Sequence, residues 1–490
     1  MNPALFKSKK NTIFLVLTVF VYSLLTILSL NNCYFWDNIQ QISKEAHWFY
    51  LNDFKTLLIP TDSGSDIVAT GYHPPLMGIM TAALWKVFGY RLWVSHVFIF
   101  FWATLLIYNV RKLVSLLFPE NYAGWVLFIL LIESSLLTQF AIGSPDFILF
   151  TAFVISLRAL LEKKTWILSV GIFFLCCINM RGIFVGVILF FVHYYYFIAL
   201  QNRKKTNFKS VIKFISPYLP TFFLLTAYYI YYFIVNGWFF NGSTDTGHYS
   251  IPHGSSRIIK HFAEFGLRSI ENGRFLIWFT GIYIAFVTVK SKLKLSLQEK
   301  ILLLFLILLL SLYILFIFIT QMPFSARYFM PQFFLLTILT LLGAVKFFDK
   351  RKLKLVFLFF IFFELTGNLW IYPEQIAKSW DCTLAHIPYY ELRKECFNYI
   401  DSEKLYYNDI SGGFCFYGKR DYAELNKEEK AIGNNFNNKY FIYSNISNVS
   451  DSMSDALHNP ENWTPIKSFK RWPVFITIFR NSVYHEKVKP

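Results

Sequence analysis

The chain has 490 residues, 55% of them hydrophobic and 20% aromatic, with only 16% charged and a formal net charge of +17. Globular domains carry about a quarter charged residues, so this composition excludes an ordinary soluble enzyme. The basic excess does not indicate a nucleic-acid partner: lysines and arginines sit in short hops between apolar runs, and the soluble stretch is mixed in sign.

Runs of about 18 or more apolar residues are long enough to cross hydrocarbon. In chain order the candidate spans are 12–30, 92–110, 122–142, 145–161, 166–180, 182–200, 215–235, 275–290, 299–320, 328–346 and 353–371. The first follows FKSKK, is too long for a signal h-region and lacks a small-x-small site after it, so it reads as a retained span. The stretch GYHPPLMG at 71–78 opens a short apolar segment, 74–88, with two prolines. Proline lacks a backbone N–H and disfavours helix in the residue before it, so a helix starts there and His73 is held outside it.

Whether 74–88 crosses fixes the parity of everything downstream. If it does not, and FKSKK is cytoplasmic, the basic hops at 111–112, 162–164, 201–213, 290–294 and 349–354 all fall inside. The segment is therefore placed on the outer face as a juxtamembrane or re-entrant helix. An outer loop spans 31–91, a second 236–274, and the C-terminal region lies outside the cytoplasm. The expectation is an α-helical polytopic protein with about 11–13 transmembrane helices over 1–371 and a small extracytoplasmic α/β domain over 372–490. Within that domain KYFIYSNI (439–446) and PVFITIFR (473–480) read as strands.

Six cysteines, Cys33, Cys176, Cys177, Cys382, Cys396 and Cys415, show no metal-site spacing. One disulfide among the last three is open to an extracytoplasmic tail.

With this orientation the unusual polar residues gather at the outer boundary of the bilayer. They are Asp37, His73, Asp146, Arg181, His248, His253, Arg257, Arg327 and Tyr328. Each has an ordinary reading. Arginines at span ends snorkel, Asp146 suits a helix N-cap, and the two loop histidines need not be ligands. A carboxylate at Asp37, beside Trp36, is costly near hydrocarbon unless it has a partner or a task. Two acids and several cations on one face suit a site that handles a proton and an anionic group. A transporter or flippase for lipid-linked sugars is the alternative, but it would place charges at mid-depth and in two related halves.

Five of these features, in order, resemble the GT-C superfamily of integral-membrane glycosyltransferases, in its aminoarabinose transferase and protein O-mannosyltransferase branch. They are the acid after the first span (Asp37), YHPPLMGIMTAALWKVFGYRLW (72–93), PDFILF (145–150), MRG (180–182) and RYFMP (327–331). The chain departs in carrying Asp37-Asn38 where the family commonly has Asp-Glu, and His73 where the aminoarabinose transferase has lysine.

The resemblance implies transfer of a sugar, with inversion, from a polyprenyl-phosphate-linked donor to a lipid, glycan or protein acceptor on the outer face of the cytoplasmic (inner) membrane. Asp37 is then the expected base and Asp146 a catalytic partner. His73, Arg181, Arg257, Arg327 and Tyr328 are expected to bind the donor phosphate. A divalent metal ion is an open option, with Asp37, His248 and His253 as its candidate ligands.

Overall fold

Helix boundaries follow the apolar runs and the polar residues that close them. The computed structural model describes residues 9–59, 73–201, 208–237, 254–320, 324–371, 379–447 and 449–484. The sixteen helices of the first part are α1 (Lys9–Ser29), α2 (Glu45–Leu51), α3 (Leu76–Phe88), α4 (Leu92–Leu117), α5 (Glu120–Leu131), α6 (Ser134–Ala141), α7 (Pro145–Glu162), α8 (Thr165–Ile178), α9 (Met180–Gln201), α10 (Phe208–Ile215), α11 (Leu219–Asn236), α12 (Ser255–Ile270), α13 (Phe275–Lys290), α14 (Leu297–Ile319), α15 (Met330–Phe347) and α16 (Lys350–Gly367). By length and composition five of the described helices can cross a membrane, or eight spans if each bent pair counts as one. Of the other predicted spans, α8 is shorter, and α7 and α16 carry more charge.

Helix α7 is the centre of the bundle. Every residue from Pro145 to Leu161 is buried, as expected of a helix covered on all sides. Small residues let its neighbours approach: a Cβ on Gly171 of α8 would lie 2.3 Å from the Ser156 hydroxyl of α7. Helix α1 is tied to α5 by Asn11, which donates to Glu120 O at 2.8 Å and accepts from Gly124 N at 2.9 Å.

One expectation is corrected, and two other stretches gain detail. The span predicted over 122–142 is two helices, α5 and α6, bent by 59°. The break falls at Glu133, whose buried carboxylate caps α6 by accepting from Leu136 N at 2.7 Å and pairs with Arg274. A carboxylate at that depth is tolerated only with such partners. The predicted 215–235 span is present as α11, and a separate short helix, α10, precedes it at an angle of 55°. Within 236–274, residues 255–270 are helical: α12 meets α13 at 89° and buries His261, Arg268 and Ser269.

The C-terminal region holds α17 (Tyr389–Ser402), α18 (Arg420–Glu424) and α19 (Asp451–Leu457) with strands β1 (Ile410–Gly412), β2 (Gly418–Lys419), β3 (Ala431–Ile432), β4 (Tyr440–Ser444), β5 (Trp463–Arg471) and β6 (Val474–Asn481). The sheet order is β1-β4-β6-β5, parallel only between β1 and β4; β2 and β3 form a separate pair. Both predicted strands are present, as β4 and β6. Cys382, Cys396 and Cys415 are buried and free.

Candidate active site

Asp37 opens a continuous helical run to Leu51 whose middle, Ile39–Lys44, is an under-wound π turn. Such turns recur at functional sites. Just before it, Trp36 adopts a left-handed φ of 51°, which costs about 1–3 kcal/mol for a residue of this size and re-aims the chain. Asn38 donates to Ile142 O at 2.8 Å. That bond ties the Asp37 segment to the turn entering α7. On the other side of this turn Ser144 caps α7, accepting from Asp146 N at 3.1 Å, with Pro145 at the first helical position. Asparagine at position 38 is thus a strut between the two acid-bearing segments.

Arg181 enters through the α8–α9 break, where Asn179 accepts from Arg181 N at 3.0 Å. The glycine of MRG has a packing reason: a Cβ on Gly182 would lie 1.6 Å from Leu175 O. Gly182→Ala is expected to prise α9 from α8 and cost about 3 kcal/mol, read as a lowered melting midpoint.

Arg327 is the hub. Its side chain is 6% exposed and pairs with three carboxylates: Asp37 through Nη2, Asp146 through Nε at 3.3 Å, and Asp381 through Nη1 at 2.5 Å. Arg181 donates to both oxygens of Asp146, at 2.8 and 3.1 Å, and its guanidinium lies 3.9 Å from the centre of the Tyr328 ring. Asp146 and Asp381 are 7% and 1% exposed, whereas Asp37 is 28% exposed. Asp37 is the acid of the three that a ligand can reach. Burial pushes the Asp381 carboxyl up, against the pull of Arg327.

His73 adjoins the cluster. Its Nδ1 accepts from Met180 N at 3.5 Å and its carbonyl accepts from the Tyr228 hydroxyl at 3.4 Å. Desolvation first, then the Arg181 charge, lowers its pKa to about 3 against the pull of Asp37. The imidazole is therefore neutral at pH 7, and position 73 is a dipole rather than a cation. The folded value lies below the unfolded reference of about 6.5. The unfolded chain therefore takes up the proton first as pH falls, and stability drops from about pH 6.5 downwards. Melting between pH 7 and 4.5 should show a shallower acid decline for His73→Gln than for wild type.

The structure thus brings Asp37, Asp146, Arg181, Arg327 and Tyr328 together, with His73 beside them. Arg257, on the exposed first turn of α12, makes no contact with them among the described residues. His248 and His253 lie outside the described residues. Among the described residues no group of three His, Cys, Asp or Glu is placed to hold a metal ion.

Sequence reasoning missed Asp381. It lies past the last span in SWDC, where a lone acid between aromatic and cysteine neighbours has no periodicity to mark it. Gln139 of α6 fixes its segment, donating to Asp381 O at 2.6 Å. A supporting network behind the site was also missed: Arg274, fully buried, pairs with Glu133, and Arg268 donates to Glu271 at 2.7 Å and to Phe324 O at 3.1 Å, just ahead of Arg327. The signal was present in Glu133, an acid inside an apolar run.

No protein-family model and no curated protein matches the sequence. Among solved structures the chain is similar to ArnT from Cupriavidus metallidurans in the apo state, with a TM-score of 0.51, 12% identity and coverage of 95% of this chain and 98% of that one. It is equally similar to the same protein bound to undecaprenyl phosphate, with a TM-score of 0.52, 12% identity and the same coverage. A match to an oligosaccharyltransferase from Archaeoglobus fulgidus has a TM-score of 0.38 at 13% identity over 72% of this chain and 51% of that one. At 12% identity the likeness is one of fold: the chain has the architecture of ArnT, a bundle of apolar helices with a C-terminal α/β region.

Proposed function

We propose that the chain is a glycosyltransferase of the cytoplasmic membrane. It moves a sugar from a polyprenyl-phosphate-linked donor to a lipid, glycan or protein acceptor on the outer face, with inversion. The observation that carries this reading is the accessible Asp37 carboxylate, held by Arg327 beside Arg181, Tyr328 and neutral His73. The fold supports it, since ArnT, of the same architecture, binds undecaprenyl phosphate.

In the proposed reaction the acceptor hydroxyl gives its proton to the Asp37 carboxylate as its oxygen bonds to the anomeric carbon. The bond from that carbon to the donor phosphate oxygen breaks, and the polyprenyl phosphate leaves with the electron pair. Arg181, the Tyr328 hydroxyl and His73 stabilise the charge that develops on it. Arg327 and the buried Asp146 and Asp381 hold Asp37 and Arg181 in place. The strength of this scaffold comes from charge-assisted bonds in a low-dielectric site.

The test is mass spectrometry of lipids, glycans and envelope proteins from cells with and without the chain, together with undecaprenyl phosphate binding by purified protein. A sugar lost from one envelope component, and saturable lipid binding, is the expected result. Arg181→Met should weaken lipid binding about tenfold or more, as loss of a charge-assisted bond implies. Unchanged envelope chemistry with no lipid binding would overturn the reading.

A further inference from the structure

Helix α18 of the C-terminal region grips the Asp37 segment on both sides. Three residues before Asp37, Tyr34 N donates to Ala423 O at 2.8 Å. Ten residues after it, on the same helical run and about 15 Å along at 1.5 Å per residue, His47 meets Asp421 at 3.0 Å.

The hydrogen-bond inventory of His47 is unusual. Nδ1 lies 3.0 Å from Ser43 O, a carbonyl that can only accept. Nε2 faces the Asp421 carboxylate, which when ionised also only accepts. A neutral imidazole has one N–H and cannot satisfy both. The Tyr90 hydroxyl touches Nε2 and donates to Asp421 at 3.0 Å, so it does not supply the missing proton while that bond stands. The other groups packed on the ring are the Trp85, Tyr90 and Tyr422 rings, centroids 5.6, 5.1 and 4.9 Å away. Lys44 lies over the Tyr422 ring at 5.3 Å. Asp421 behaves as the partner of a cation: burial pushes its carboxyl up, yet bonds from His47, Lys427 N and Tyr90 hold it below the ordinary range.

We infer that His47 is a positioning residue: its doubly protonated ring, paired with Asp421, latches the helix carrying Asp37 to the C-terminal region. This rests on the role proposed for Asp37. When the ring loses its second proton, Nε2 becomes an acceptor. The Tyr90 hydroxyl turns to it, and Asp421 loses two donors at once. The latch holds while the ring carries both protons and weakens when rising pH removes one. Of the bonds from α18 to the Asp37 segment, the one at Tyr34 N then remains.

The experiment compares wild type, His47→Gln and Asp421→Asn as full chains in lipid nanodiscs between pH 5.5 and 9. It reads thermal melting and, with the donor identified by the envelope analysis, steady-state transfer. Wild type should lose about threefold to tenfold in kcat as pH rises, with the KM for the lipid donor unchanged, and its melting midpoint should fall over the same interval. Both variants should start low in kcat and be flat in that interval. If His47→Gln does not fold, Asp421→Asn carries the same comparison. A wild-type pH dependence that survives in the variants overturns the inference, as does a uniform loss without any pH component. If no protein transfers sugar, the glycosyltransferase reading fails, while the melting profiles still decide the latch.

Discussion

Replacing Asp37 with Asn is expected to lower the transfer rate by about 10²–10⁴-fold, the usual contribution of a positioned general base, while leaving the protein inserted and folded. The substitution is isosteric, and Arg327 keeps two carboxylate partners in Asp146 and Asp381. Asp37 is also the most exposed of the three acids, so losing its charge leaves no new buried ion without a partner. Melting and undecaprenyl phosphate binding should therefore stay close to wild type while turnover collapses. Retained turnover would reject Asp37 as the base.

Arg327→Met should act in the opposite sense, on stability first. It removes the cation between Asp37, Asp146 and Asp381, two of which are nearly covered. Breaking a buried pair by removing one partner costs about 3–5 kcal/mol, because the remaining charge stays buried. Arg327→Lys should recover only part of this: one ammonium cannot reproduce the planar fork that reaches three acids from three nitrogens. The double variant Arg327→Met/Asp381→Leu should melt above the single one, since it removes an orphaned acid together with its partner. Equal melting of the single and double variants would mean that Arg327 and Asp381 are not coupled.

These expectations separate two kinds of residue that the sequence presents alike. Asp37, Asp146, Arg181, Arg327 and Tyr328 were all legible because each stands at the edge of an apolar run, where a charge is conspicuous. Their division of labour was not legible. Arg327 looks in sequence like one more cation for a phosphate, and in the fold it is buried among three acids. His73 looks titratable, and desolvation next to Arg181 makes it neutral. Arg257 satisfies the same sequence criterion and stays on the exposed start of α12. Asp381, in a segment without helical or strand period, was invisible until the chain folded back from beyond the last span.

What the sequence determined by itself is the membrane architecture: the apolar runs that become helices, the strands of the C-terminal sheet, and most of the span-edge polar residues that the fold gathers. Those features follow from hydrophobicity and local capping, which act over a few turns. What only the tertiary structure decided is which charges meet. The breaks at Glu133 and in front of α11, the strut at Asn38, the hub at Arg327 and the contacts of Asp381 and Asp421 join residues tens to hundreds of positions apart. Pairing at that range is set by how helices pack, and a charge buried by that packing takes whichever partner packing brings to it.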